Sequence, residues 1–273
     1  MIRLVVSNQR GGVSKTTTTL TLARYFAEKG LKVLVVDTDP QGSIALTLGL
    51  KPQFYFHHFV VNGVLFTDCV VPAHPNIDVL CGNRDTQKAE VALLGMTAGE
   101  LAFVKVFGQV EDHYQIVLID CAPSISLVQT ASLMYAKNVL IPVAMDMLSL
   151  QGASACLEAC NLLSTAFKEE IRAVALLPTM LDKRYNLTAM TMQTLGQMAS
   201  KYDIDLLPGI RIDGTVRKAE RSRKFLADYD PTCKALQDYE AVGNRILEIF
   251  DVNTATRSMD QEVRGQVTSA LSA

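Results

Sequence analysis

Short β-rich apolar runs recur at residues 2–7, 32–37, 76–81, 115–120, 138–143, 172–177 and 205–210, most of them separated by stretches with helical periodicity. Strands that alternate with helices predict a mostly parallel sheet. Several runs are apolar at every position, the pattern of strands covered by helices on both faces. The fold class expected is therefore doubly wound α/β. Leu20, Ala23 and Ala27, with Leu22 and Phe26 beside them, give the first helix an apolar side, and Gly30 can supply the left-handed residue that ends it. Residues 149–167, 186–201 and 232–250 read as further helices. Phe54, Tyr55, Phe56, His57, His58 and Phe59 form the most aromatic stretch and are read as a packed helix or a dimer contact. No repeat or linker interrupts residues 1–252, which are expected to form a single domain. Residues 253–273, rich in Ser, Thr and Ala, are expected to be a C-terminal extension, flexible or helical.

Composition narrows the class. A chain of 273 residues with 49% hydrophobic content can bury a substantial core. Its apolar runs fall far short of the roughly 20 residues that cross a bilayer. The N-terminus has no small-residue cleavage site and reads as a strand, so a cytoplasmic protein without stable membrane insertion is expected. The six cysteines contain no Cys-x-x-Cys pair and read as small buried hydrophobes. Net charge is only −2, yet residues 211–224 hold six basic and two acidic side chains, a local +4 that leaves −6 for the rest.

Candidate chemistry lies at the first strand-to-helix turn, Gln9-Arg10-Gly11-Gly12-Val13-Ser14-Lys15-Thr16-Thr17. There backbone N–H groups and a helix N-terminus can converge on phosphate oxygens. Lys15 would add a point charge on the outer phosphates, and the Thr16 hydroxyl would be a hard oxygen ligand for Mg²⁺. The strict G-x-x-x-x-G-K-[ST] pattern is not met, because Gln9 and Ser14 stand where it has glycine. On this loop alone, a phosphate site and an ordinary Gly-Gly turn both remain open.

The motifs together resemble the ParA/MinD family of deviant Walker ATPases, whose loop reads K-G-G-x-G-K-[ST]. The resemblance runs through Val35-Val36-Asp37-Thr38-Asp39-Pro40-Gln41-Gly42, Ile119-Asp120-Cys121-Ala122-Pro123-Ser124, Leu140-Ile141-Pro142-Val143 and Ser149-Leu150-Gln151-Gly152. It reaches Val216-Arg217-Lys218-Ala219-Glu220, Tyr229-Asp230-Pro231, Ala235 and Tyr239. It implies an ATPase using ATP and Mg²⁺, with Gly11, Gly12, Val13, Ser14, Lys15, Thr16 and Thr17 around the phosphates. Asp39 would position the attacking water, Asp37 would support its loop, and Thr16, Asp120 and Asp39 would serve the metal. Adenine would lie near Thr179, Asp182, Pro208 and Gly209.

Two departures stand out. Arg10 occupies the place of the family's lysine that reaches across a dimer to the partner's ATP; it keeps the charge but changes reach and geometry. Ser14 replaces a glycine and is expected to restrict the backbone or adopt a strained φ, with slow hydrolysis as the outcome.

The resemblance further implies an ATP-sandwiched homodimer that binds DNA without sequence preference through Arg211, Arg217, Lys218, Arg221, Arg223 and Lys224 and associates with the nucleoid. A cargo-bound adaptor would stimulate hydrolysis. The cargo would be a plasmid or chromosome partition complex or, on the branch resembling McdA, which lacks the first lysine, a carboxysome. Other readings are a MinD-like membrane-associated ATPase, for which Val263, Val267 and Leu271 form the only aliphatic stripe in the tail, an iron-sulfur reductase, and an ATP-dependent metabolic enzyme.

Overall fold

A computed structural model describes residues 1–182 and 184–250. Its eight strands are β1 (Ile2–Val6), β2 (Val33–Asp37), β3 (Val70–His74), β4 (Ile77–Leu80), β5 (Ile116–Asp120), β6 (Asn138–Ala144), β7 (Arg172–Thr179) and β8 (Asp205–Leu206). They form one sheet in the order β3-β4-β2-β5-β1-β6-β7-β8. Every pairing is parallel except β3 with β4.

The unbroken apolar runs are explained by what lies on each face. In β1, β2 and β5 successive side chains alternate between two cores: Leu4, Val35 and Leu118 join Leu22, Phe26 and Tyr239 on one side. Val5, Val36 and Ile119 join Phe56, Phe103 and Tyr135 on the other. Both directions of the pleat therefore need apolar residues. The first helix, Lys15–Glu28, packs in the former core, where the C-terminal helix, Lys234–Ile249, contacts it. The doubly wound, mostly parallel fold is thus as expected.

Three local features differ from or refine the expectations. Strand β3 was not expected; its Pro72 lacks an N–H and breaks the apolar pattern, features a sheet tolerates at an edge, which is where β3 lies. The run at 205–210 contributes only two ladder residues, because Pro208 has no N–H to continue the pairing after Leu207 donates to Leu176 O at 2.9 Å. The aromatic stretch forms a short helix, Phe56–Val60, with Phe56 edge-on to Phe103 at 5.4 Å and His57 buried, in keeping with a packed helix. No helix among the described residues is long and apolar enough to cross a membrane. The expected extension at 253–273, with Val263, Val267 and Leu271, lies outside the described residues.

Candidate active site

The loop after β1 is held in place by Asn8, which is fully buried. Its Nδ2 donates to Pro142 O at 2.8 Å and Ser149 O at 3.2 Å, while its Oδ1 accepts the Arg10 N–H at 2.9 Å. Asn8 thereby ties the loop to the end of β6 and to the helix Met147–Phe167, whose own start is capped by the Asp146 carboxylate. Further on, Gly12 (φ 76°) and Ser14 (φ 68°) are both left-handed. For Gly12 this is free, whereas Ser14 bears a steric cost of about 1–2 kcal/mol. The strain expected at Ser14 is therefore present. Left-handed residues interleaved with ordinary ones turn successive N–H groups toward one side, a concavity suited to anions, and the helix Lys15–Glu28 starts directly behind it.

Lys15 is buried, and its Nζ donates to Arg10 O at 2.8 Å, closing the loop over itself. Burial lowers its affinity for the proton, opposed by the charges of Asp120 and Asp39. The Arg10 side chain is exposed. Val13 is buried beneath the loop, and its carbonyl accepts the Thr179 hydroxyl at 3.2 Å.

Three carboxylates gather at the C-terminal ends of the adjacent strands β2 and β5, where Asp37 and Asp120 stand in register. Asp37 is completely buried; its two oxygens accept the N–H groups of Asp39 (3.0 Å) and Ile44 (3.2 Å). It therefore shapes the 38–44 loop and does not itself reach the cavity above. Burial, with Asp120 adding to it, raises its pKa well above the usual carboxylate range. Gly82, at the end of β4, allows this packing, since a Cβ there would come within 2.6 Å of Asp37 O and 2.8 Å of Asp39 O.

Asp120 accepts the Thr16 hydroxyl on Oδ2 at 2.6 Å. Its Oδ1 is buried without any hydrogen-bond partner. Removal from water pushes its pKa up to about 7, while the Thr16 bond and the Lys15 charge pull it down. A lone buried carboxylate oxygen beside the Thr16 hydroxyl, with Thr16 and Asp39 on the wall of the cavity above, is a set of hard oxygen donors that fits Mg²⁺.

Above the loop opens a cavity of about 360 Å³. Gly11, Gly12, Ser14, Lys15, Thr16, Thr17 and Asp39 bound one end, joined by Ser43 and Pro123. Met180, Ile210, Arg211, Ile212, Asp213, Val216, Arg217, Glu220 and Tyr239 supply the rest of the wall. Thr17 donates to Glu220 Oε1 at 3.2 Å, and the Thr18 and Tyr239 hydroxyls are 3.0 Å apart, so the C-terminal helices are fastened to the first helix beside the loop. Pro208 is exposed and does not line the cavity; the wall begins two residues later at Ile210, whose N–H donates to Pro178 O at 2.8 Å.

The six basic residues of the 211–224 segment divide. Arg211 forms a fork on Asp238, with Nε and Nη2 each donating at 2.7 Å, and lines the cavity; Arg217 lines it too. All six are exposed, and Lys218, Arg221, Arg223 and Lys224 lie outside this cavity. Sequence reasoning missed Ser43, Met180, Ile212 and Asp213, whose only signal was position at the carboxyl ends of strands or just beyond them. The six cysteines are free and buried, and no group of three or more His, Cys, Asp or Glu side chains is placed to hold a metal by itself among the described residues, which leaves the iron-sulfur reading without a ligand set there. Burial pushes the Cys121 thiol up to about 12.

Comparison with known proteins agrees with this geometry. A family profile described as an AAA domain matches residues 1–173. The chromosome-partitioning ATPase Soj of Treponema pallidum (strain Nichols) is 30% identical over 251 residues, covering 89% of this chain and 96% of that protein. Among solved structures, the ATP complex of a Cyanothece McdA variant matches with a TM-score of 0.80 at 19% identity, covering 92% of this chain and 96% of that one. Cobyrinic acid a,c-diamide synthase of Mycobacterium smegmatis with bound ADP and magnesium matches with a TM-score of 0.77 at 24% identity, covering 92% and 96%. At such identities the two structures speak for the fold.

Proposed function

The chain belongs to the ParA/MinD family of ATPases, and we propose that it binds Mg-ATP above the Gly11–Gly12 loop, dimerises around it, and hydrolyses it as a timed switch on DNA. The observation that carries the nucleotide part is the unpartnered, buried Oδ1 of Asp120 beside the Thr16 hydroxyl. A polar atom left bare in the interior costs stability unless something occupies the space before it.

In this reading the loop N–H groups and the helix N-terminus bind the phosphates, and Lys15 exchanges its bond to Arg10 O for one to the outer phosphates. Thr16 and Asp120 would hold Mg²⁺, which when bound neutralises charge building on the transferred phosphoryl group. Asp39 orients the attacking water, and Asp37 keeps the Asp39 loop in place through its two backbone hydrogen bonds. Few groups need to move, since this chemistry depends on positioning and charge.

The exposed Arg10 would reach the ATP of a second copy. Lys218, Arg221, Arg223 and Lys224 would give the dimer a doubled basic surface for DNA phosphates, drawing a cytoplasmic protein to the nucleoid. An adaptor on a cargo, either a partition complex or a carboxysome, would trigger hydrolysis and release. Support for the switch reading comes from the relatedness to a Soj partition ATPase over nearly the whole chain. The test is the Asp39→Ala protein with Mg-ATP, expected to be a dimer by solution mass and to be retained on nonspecific DNA at moderate salt. A monomer that ignores DNA but turns over ATP in the presence of a small metabolite would instead indicate a biosynthetic enzyme.

A further inference from the structure

The loop after β5, residues 121–126, lies by strand order between the Asp39 loop, which follows β2, and the phosphate loop, which follows β1. Its Pro123 borders the cavity with Asp39 and Gly11, and a Cβ added at Gly11 would lie 3.9 Å from Pro123 Cγ. Pro123, Ser124 and Ile125 are exposed, and among the described residues none of them makes a hydrogen bond. The place of this stretch is therefore set by its two ends. One end is Asp120, whose carbonyl accepts the Thr38 N–H at 3.0 Å and the Thr38 hydroxyl at 2.9 Å. The other is the start of the helix Leu127–Ala136.

Glu90 holds that start. It is half-buried on the helix Thr86–Leu94, and its two carboxylate oxygens accept the Leu127 N–H at 2.7 Å and the Val128 N–H at 2.9 Å. Ser126 Oγ takes the next N–H, that of Gln129, at 3.1 Å. Ser126 belongs to the loop and moves with it, whereas Glu90 comes from another helix and brings a negative charge to the positive end of this one. The helix that carries Glu90 begins four residues after Gly82, the glycine packed against the carbonyls of Asp37 and Asp39. One short helix thus abuts the Asp39 loop near its start and grips the far end of the Pro123 loop through Glu90.

We propose that Glu90 is a positioning residue for ATP hydrolysis: by holding the first turn of the helix Leu127–Ala136 it keeps the Pro123 loop at the spacing from Asp39 that confines the attacking water. This role rests on the cavity being the Mg-ATP site proposed above. Glu90 does not line the cavity, so its loss should slow turnover and spare ATP affinity, which the phosphate loop, Lys15 and the helix behind them supply.

The experiment measures single-turnover conversion and equilibrium affinity for Mg-ATP on the full chain, for the unsubstituted protein, Glu90→Ala, Glu90→Gln and the control Tyr114→Phe. Tyr114 precedes β5, at the end of that strand away from Asp120, and donates to Asp78 at 2.9 Å; the control therefore loses one bond to a carboxylate without touching the loop. Glu90→Ala should convert ATP at least about tenfold more slowly while its affinity stays within about twofold. Glu90→Gln, whose amide offers one oxygen where two acceptors are needed, should fall between. Hydrogen exchange across residues 121–129 should quicken in Glu90→Ala and stay unchanged in Tyr114→Phe. Conversion by Glu90→Ala at the unsubstituted rate, or equal slowing in Tyr114→Phe, overturns the assignment and leaves the site intact. A fall in ATP affinity that accounts for the slowing does the same. If Glu90→Ala does not fold, Glu90→Gln decides, since conversion by it at the unsubstituted rate also overturns the assignment. Failure of the unsubstituted protein to bind Mg-ATP would overturn both.

Discussion

Gly152 offers a quantitative check on how the phosphate loop is held. It lies in the second turn of the helix Met147–Phe167, against the loop, and a Cβ there would sit 3.0 Å from Arg10 N and 3.1 Å from Arg10 Cβ. It would also overlap Asn8 Oδ1, the atom that accepts the Arg10 N–H. In Gly152→Ala either the helix or the loop must move. Forcing one methyl group into a packed contact costs about 1–3 kcal/mol and losing the Asn8 bond adds about 1 kcal/mol, while alanine's helix propensity offsets about 1 kcal/mol, so a destabilisation of about 1–3 kcal/mol is expected. Urea unfolding followed by circular dichroism measures it, with Gly196→Ala as the comparison. A Cβ at Gly196 meets nothing within 4 Å, and the helix gains up to about 1 kcal/mol from alanine. Because the displaced loop carries Arg10 O, the resting partner of Lys15, ATP affinity should also fall in Gly152→Ala. Equal stability of the two variants, with undiminished ATP binding in Gly152→Ala, would refute the argument that this helix clamps the loop.

Further outcomes follow from the same geometry. Ser14→Gly should stabilise the protein by about 1 kcal/mol, because the left-handed φ of 68° no longer opposes a side chain; thermal unfolding should show a higher midpoint with ATP binding at least as tight. Asp120 keeps its proton in the folded chain up to about pH 7, whereas unfolded it releases it near pH 4; its contribution to the nucleotide-free protein is therefore greatest at acid pH and declines as pH rises toward 7. A metal must displace that proton, so stabilisation by Mg-ATP should grow between pH 6 and 8, and Asp120→Asn should flatten the profile in calorimetry. Arg10→Ala should lower the ATP-dependent dimer fraction in analytical ultracentrifugation while leaving binding to the monomer unchanged. Charge reversal at Lys218 and Arg221 should abolish DNA retention and reduce its salt dependence, measured by fluorescence anisotropy.

What could be read from the sequence, and what could not, follows from the range of the interactions. The strands carrying Asp37 and Asp120 were legible because burial on both faces makes every residue apolar, and the acids end those runs. The Thr16–Asp120 bond joins residues 104 apart, yet the combined motifs foretold the partnership. Ser14 was legible as a conflict between residue type and backbone, and its left-handed φ is that conflict realised. Strand β3 was obscured because Pro72 and partial exposure break the apolar pattern on which recognition depends. The upper wall of the cavity was the least accessible part. Met180, Ile212 and Asp213 have no local signature, and they meet the loop only because β7 and β8 bring their carboxyl ends to the same side of the sheet as β1. Likewise the charge of residues 211–224 was plain, but its division between a cavity wall and an outer surface depends on Asp238 and Thr17, which are distant in sequence.

The central claim is that this cavity hydrolyses ATP with Asp39 orienting the attacking water. Its most direct test is a single-turnover measurement in which the protein, loaded with radiolabelled ATP and Mg²⁺, is quenched over time for the unsubstituted chain and Asp39→Ala. The account predicts that both bind ATP but only the unsubstituted chain converts it to ADP and phosphate, the variant holding intact ATP throughout. Conversion by Asp39→Ala at the unsubstituted rate would contradict it.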